Sequence, residues 1–259
     1  MLEVLRSWTM RGHPNLDDLG PALPREQWTL VDAVRHQAAA AAEREFLSFE
    51  NGSSVSFSEF NDLTDRLGTA LCDLGVQPGD RILGLLTNSR EFMLVMIATH
   101  KVGAIFVPIN TELRGNFLEH QVHNSSPRII VVDNGLMERF DAVDTSPTAI
   151  ETVLRVNDGS DSANSTPESL SGASHMPLEP LLETVPRIEA LATPVPEDVC
   201  TIMYTSGTTG PSKGVLMPQG HCYLFALGTV AAMELTQDDR YFCCMPLFHA
   251  NGLFMQVYA

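Results

Sequence analysis

From Thr29 onward the apolar positions change period several times, and each change marks an element. Thr29 reads as an N-cap with Asp32 at the capping-box position, which predicts a helix through the alanine-rich stretch to about Arg44. Short strands follow at 45–49 and 54–57, joined by Glu50-Asn51-Gly52-Ser53. Asn-Gly between apolar runs favours a hairpin, since both residues tolerate the turn's positive φ. Ser58 is expected to cap a helix with the apolar face Phe60, Leu63, Leu67, Leu71 and Leu74, and Gly75 to end it.

The pattern then alternates. A strand is predicted at 81–87, then a helix from Ser89 with Phe92, Met96 and His100 on one side and a stop at Gly103. A strand at 104–109, a helix at about 114–123 and a strand at 128–132 complete the run. Nearly continuous apolar strands separated by helices are the mark of parallel strands covered on both faces. The expected fold class is therefore α/β, with doubly wound, mostly parallel sheets and flanking helices.

Farther on, the Ser-, Asp- and Asn-rich stretch near 157–174 reads as a mobile surface loop. A short helix is expected around 178–184, a strand at 199–204, a helical segment around 223–233 and a strand at 241–245. The expected organisation is an irregular arm at 1–28, a first α/β subdomain at 29–196, and the start of a second at 197–259. Because FMQVYA stops in mid-pattern, with no cap, polar tail, Gly or Pro, a truncated N-terminal domain is expected.

Composition narrows the chemistry. The 259 residues are 44% hydrophobic and 19% charged, enough apolar material for a sizeable core. A net charge of −16 opposes binding to nucleic acid or to an anionic membrane surface, both of which need basic surface. No stretch approaches the roughly 20 apolar residues of a membrane span, and the N-terminus lacks the apolar core of a signal peptide. The five cysteines (Cys72, Cys200, Cys222, Cys243 and Cys244) show no framework spacing, which fits a reducing, cytoplasmic setting. Only two lysines occur, Lys101 and Lys213, and after Arg187 the only Lys or Arg residues are Lys213 and Arg240.

Lys213 lies in the run TSGTTGPSKG, residues 205–214. Gly207, Gly210 and Gly214 open backbone conformations that turn successive N–H groups toward one anion. Thr205, Ser206, Thr208 and Thr209 add four hydroxyl donors, and Lys213 adds the charge. A strand leads directly into the run and would hold one end. The P-loop of nucleotide hydrolases needs Gly-Lys followed by Ser or Thr, whereas here Ser212 precedes Lys213 and Gly214 follows it.

MYTSGTTGPSKG resembles the signature of the adenylate-forming (AMP-binding) superfamily: acyl- and aryl-CoA synthetases, luciferases and peptide-synthetase adenylation domains. VSFSEFNDLTDRLGTALCDLGVQPGDRI, KVGAIFVPIN and MPLFHANG resemble further landmarks in the same order, so the likeness covers about Thr29 to the last residue. It implies that a carboxylate attacks the α-phosphorus of ATP to give an acyl-adenylate and pyrophosphate, after which a thiol, usually of coenzyme A, displaces AMP. Such chemistry relies on positioning and charge stabilisation. By resemblance Thr205, Ser206, Gly207, Thr208, Thr209, Gly210 and Lys213 surround the β- and γ-phosphates. Mg2+ would bridge those phosphates, its protein carboxylate coming from a later motif. His249 would lie near the acyl pocket and help open the thiol's path, with Asn251, Gly252 and Leu253 lining the same pocket. The implied partners are a small carboxylic acid, ATP and CoA, and a homo-oligomer is left open.

Other residues read as structural. The spacing of His221, Cys222, Cys243, Cys244 and His249 matches no zinc pattern, so no metal site is expected. Asp198 reads as a strand-entry contact, and Met93 with Met96 as core. Pro218-Gln219 stand where the family usually has Thr-His or Ser-His, which puts the following helix start in question. The family's adenine, ribose and C-terminal lysine motifs do not occur. The expected function is the N-terminal part of an ATP-dependent acid–CoA ligase, inactive alone. A carrier-loading adenylation domain and a degenerate, non-catalytic product are the alternatives.

Overall fold

The computed structural model describes residues 23–159, 166–205 and 211–257. Most of the arm at 1–28, part of the stretch at 157–174, and Ser206, Gly207, Thr208, Thr209 and Gly210 lie outside the described residues.

Thr29 caps α1 (Leu30–Ala40) by accepting the Asp32 amide at 2.9 Å. The helix stops short of Arg44 because the carbonyls of Ala42 and Arg44 accept from Ser58 and Phe57 instead. A hairpin of β1 (Glu45–Ser48) and β2 (Ser54–Ser56) follows and runs straight into α2 (Phe57–Asp73). That direct passage makes Ser56 the N-cap, accepting from the Glu59 amide, and puts Ser58 inside the helix. Gly75, at φ +82°, turns the chain out of α2.

The next elements are β3 (Arg81–Leu85), α3 (Arg90–Lys101), β4 (Ile105–Pro108), α4 (Gly115–Ser125) and β5 (Ile129–Asp133). Ser89 caps α3 as expected. β6 (Thr152–Val156), β7 (Ser174–Pro177), β8 (Val199–Tyr204), β9 (Gly214–Pro218) and α5 (Gln219–Met233) follow. Seven strands form one sheet in the order β7-β6-β5-β3-β4-β8-β9, parallel except for the antiparallel β8–β9 pair. Phe106 of β4 pairs with Thr201 of β8, so strands from both sides of residue 196 lie in this sheet.

The two faces of the sheet carry separate apolar layers. Ile82, Phe106, Ile129, Val131 and Leu154 face α1, α2 and α3. Leu83, Leu85, Val107, Ile130 and Val132 face α4 and a 3-10 helix at Asn134–Phe140. Successive strand residues thus supply opposite layers, as strand geometry requires. α3 is buried from Phe92 to Lys101, not on one side alone, because it lies between the sheet and the outer helices. His100 is therefore enclosed, and burial pushes its pKa down to about 3. A neutral His100 contacts Thr201 of β8 at 3.2 Å.

Three strands escaped the pattern: β6, β7 and β9. The short helix expected at 178–184 is a 3-10 turn, Glu179–Glu183. The strand expected at 241–245 does not form; Tyr241 and Phe242 are exposed, and the Met245 carbonyl accepts from a side chain, Asn88, rather than from a neighbouring strand.

Candidate active site

Ile202, Met203 and Tyr204 of β8 pair with Leu216, Val215 and Gly214 of β9, so the two strands flank the glycine-rich run as a hairpin. The ladder continues one step past the strands, where the Thr205 amide donates to the Lys213 carbonyl at 3.1 Å. Gly214 is dictated by proximity, since a Cβ there would lie 2.8 Å from Ile202 Cγ2. Thr205 and Lys213 are both exposed, opposite each other where the hairpin opens. A positive side chain and a hydroxyl donor thus stand together at the carboxyl end of a parallel strand. Ligands in open α/β sheets bind along that edge.

Both limbs of the hairpin rest on α4. The Tyr204 hydroxyl donates to Asn124 Oδ1 at 2.7 Å, and burial pushes its pKa up to about 12, so it stays protonated. On the other limb the Ser212 carbonyl lies 2.8 Å from His120 Nε2, and Gln121 Nε2 donates to Ser212 Oγ at 3.1 Å. A carbonyl can only accept, so His120 carries its proton on Nε2.

The PLFHANG segment is held on the same edge of the sheet. Asn88, three residues past β3, donates from Nδ2 to the Met245 carbonyl at 2.9 Å and accepts the Leu247 amide on Oδ1 at 2.8 Å. The segment then folds tightly. The His249 amide donates to the Pro246 carbonyl, and the Leu253 amide to the His249 carbonyl, each at 3.0 Å. Gly252 sits where a Cβ would be 2.5 Å from the Pro246 carbonyl oxygen. A π-helical turn at Asn251–Val257 follows. His249 is exposed, and its Nδ1 accepts the Asn251 amide at 3.2 Å. That contact puts the proton of the neutral ring on Nε2.

Of the residues singled out from sequence, Thr205 and Lys213 come together at the hairpin mouth. His249 joins them on the carboxyl edge by way of Asn88, with no hydrogen bond between His249 and Lys213. Leu253 is buried and Gly252 packed, while Asn251 is exposed. Asp198 makes the strand-entry contact, accepting the Val195 amide on its side chain and the Gln219 amide on its carbonyl. α5 starts without a side-chain cap at Pro218. Gln219 instead accepts the buried Leu30 amide at 3.1 Å, satisfying one of the free donors at the start of α1. Sequence reasoning missed Asn88, His120 and Gln121, whose partners lie 91 to 159 positions away. Only the polar character of Asn88 beside a helix cap offered a signal.

A family model described as AMP-binding enzyme matches residues 34–259. The chain is 28% identical over 225 residues to 2-succinylbenzoate–CoA ligase of Bacillus cereus, covering 87% of this chain and 40% of that protein. It is 29% identical over 205 residues to feruloyl-CoA synthase of an Amycolatopsis species, covering 79% and 36%. The crystal structure of an anthranilate CoA ligase in complex with anthranoyl-AMP superposes with a TM-score of 0.78 at 24% identity, over 94% of this chain and 45% of that one. That likeness carries the fold alone. The chain spans about 40% of the length of the curated relatives it matches.

Proposed function

The chain belongs to the AMP-binding enzyme family, and we propose that it is the N-terminal, phosphate-gripping part of an ATP-dependent acid–CoA ligase. The observation that carries this reading is the β8–β9 hairpin, which presents Thr205 and Lys213 side by side at the carboxyl edge of the sheet. The names of the relatives, acyl- and aryl-CoA ligases, agree with it.

In the proposed reaction an acid carboxylate attacks the α-phosphorus of ATP, forming the acyl-adenylate and releasing pyrophosphate. CoA thiol then attacks the acyl carbon and releases AMP. No side-chain nucleophile is needed, because the carboxylate is ionised at neutral pH. Lys213 neutralises charge on the β- and γ-phosphates, and the hydroxyls of Thr205, Ser206, Thr208 and Thr209 donate to their oxygens. Mg2+ would enter with the phosphates and offset their charge; no cluster of three or more His, Cys, Asp or Glu among the described residues would hold it. His249, with its proton on Nε2, stands at the acyl and thiol side. We place the protein in the cytoplasm on its unspaced cysteines. Adenine, ribose and carboxylate contacts come from the part of the family's length that these residues do not span, so the 259 residues alone do not complete the reaction.

Isothermal titration with ATP and with tripolyphosphate tests the reading, alongside trapping of acyl-adenylate as hydroxamate. The 259-residue chain should bind both phosphates and yield no hydroxamate. Lys213→Ala should weaken binding by roughly tenfold to a hundredfold, the worth of a hydrogen bond to a charged group. Equal affinity in the variant would refute the role of the hairpin, and rapid hydroxamate formation would refute the incompleteness. In a longer protein containing this chain, a choice between CoA and a phosphopantetheinylated carrier as acceptor separates the ligase from a carrier-loading enzyme.

A further inference from the structure

Only one limb of the hairpin that presents Lys213 is held inside the sheet, where β8 pairs with β4 through Thr201 and Phe106. β9 is the edge strand of the sheet, and Val215 and Leu216 are exposed. Its strand hydrogen bonds run to β8 alone, so the β9 limb is tied to the sheet only through β8. The second support comes from α4, through three side chains within one turn of helix. Asn124 takes the Tyr204 hydroxyl from the β8 limb, while His120 and Gln121 take the carbonyl and hydroxyl of Ser212 on the β9 limb.

We propose that His120 and Gln121 are positioning residues for the phosphate-binding hairpin: they fix Ser212, and through it the direction in which Lys213 leaves the backbone. The inference rests on the proposed phosphate site and adds to it a support from a different element. Ser212 immediately precedes Lys213, so its carbonyl belongs to the peptide that carries the Lys213 amide. A donor on that carbonyl fixes the plane of the peptide and hence the start of the lysine side chain. Gln121 adds a chemical consequence. Its buried Nε2 donates to Ser212 Oγ, so the serine hydroxyl keeps its own proton for another acceptor. A bound phosphate oxygen is an acceptor of that kind. His120 and Gln121 touch Ser212 and neither reaches Lys213, so they act through the loop.

Two readouts on the full chain test this. The first is hydrogen exchange of the amides at 203–205 and 212–215 without ligand, and the second is ATP affinity by titration. In the His120→Ala/Gln121→Ala double variant those amides should exchange about tenfold faster, since the hydrogen bonds that pin one limb are gone. Amides of β3 and β5 should keep their protection. ATP affinity should fall by about tenfold, a loss of roughly 1.4 kcal/mol. His120→Gln, which retains an N–H donor, should recover much of both losses, a result that mere loosening of α4 would not give.

Unchanged exchange in the double variant overturns the inference whatever ATP does. Faster exchange with unaltered affinity, in a wild type that binds ATP, overturns it as positioning. A wild type that binds neither ATP nor tripolyphosphate overturns the proposed phosphate site itself and takes the positioning role with it; exchange then tells whether α4 braces the hairpin at all. If the double variant loses protection throughout, His120→Gln against His120→Ala decides the matter, and equal behaviour of the two counts against the inference.

Discussion

The Lys101 ammonium lies 2.6 Å from the Asp65 carboxylate, with Lys101 fully buried and Asp65 nearly so. The remaining contacts are also satisfied. Lys101 Nζ reaches the Asn61 carbonyl at 3.0 Å and Asn61 Oδ1 at 2.9 Å, and Asn61 Nδ2 donates back to Asp65 Oδ2. This closed triad ties α3 to α2 beneath the sheet.

Removing the lysine alone strands a buried carboxylate, so Lys101→Met should cost about 3–5 kcal/mol in urea unfolding. Asp65→Leu in the same chain should restore much of that loss, because two matched charges are then replaced by apolar volume. Burial lowers the Lys101 pKa to about 8 from its ordinary 10.5, despite Asp65. Between those values the unfolded chain holds more protons than the folded one, so this group's contribution to stability rises with pH. Subtracting the curve of the Lys101→Met/Asp65→Leu chain from that of the wild type isolates the rise. A flat difference from pH 8 to 10.5 would refute it.

Asn88 carries two of the hydrogen bonds that fix the His249 segment, so Asn88→Ala leaves the half-buried Leu247 amide unpaired. The expected cost is about 1–3 kcal/mol, concentrated in residues 245–257. Gly252→Ala attacks the same segment by sterics, since its Cβ would lie 2.5 Å from backbone oxygen. Limited proteolysis should cut both variants within 241–257 before any other site. Cutting no faster than in the wild type would mean that the segment is held elsewhere.

Gly214→Ala should disturb the mouth of the hairpin, because its methyl would press on Ile202 Cγ2 at 2.8 Å. We expect a stability loss of about 1–3 kcal/mol, as for an overpacked site. A larger share of the effect should fall on polyphosphate binding, since Thr205 and Lys213 are paired immediately beyond. Titration with tripolyphosphate measures it, and full affinity in the variant would show that the spacing of the limbs is unimportant.

What could be read in the sequence was what is local. Thr29 and Ser89 announced their helices because a cap bonds an amide two or three residues on. The glycine-rich run could be matched to a family because its signature lies in consecutive residues. β7 was not, since SHMP has no pattern of its own and becomes a strand only by pairing with β6. β9 likewise depends on β8, and the segment at 241–245 looks like a strand but pairs with no strand among the described residues. The side chains that bond the hairpin and the 245–247 segment were hidden for the same reason. Asn88 and Leu247 are 159 positions apart, and nothing near either one names the other.

Asp133, the last residue of β5, should behave as a carboxylate that the fold tolerates at a cost. Its Oδ2 accepts both the amide and the hydroxyl of Thr87, at 2.8 and 2.7 Å, linking the ends of β3 and β5. Burial nevertheless raises its pKa above the ordinary 3.8, outweighing the two hydrogen bonds that lower it. A raised folded pKa means the folded chain holds more protons in that window. The contribution of Asp133 is therefore greatest below 3.8 and falls as pH rises through the folded value. Asp133→Asn keeps an oxygen for Thr87 and removes the charge, so its stability relative to the wild type should climb with pH and then level off. Asp133→Ala leaves both Thr87 donors unpaired and should cost about 1–3 kcal/mol. Urea midpoints of the three chains from pH 4 to 7 give the comparison. A constant gap between wild type and Asp133→Asn would mean that the two Thr87 bonds fully compensate the desolvated charge.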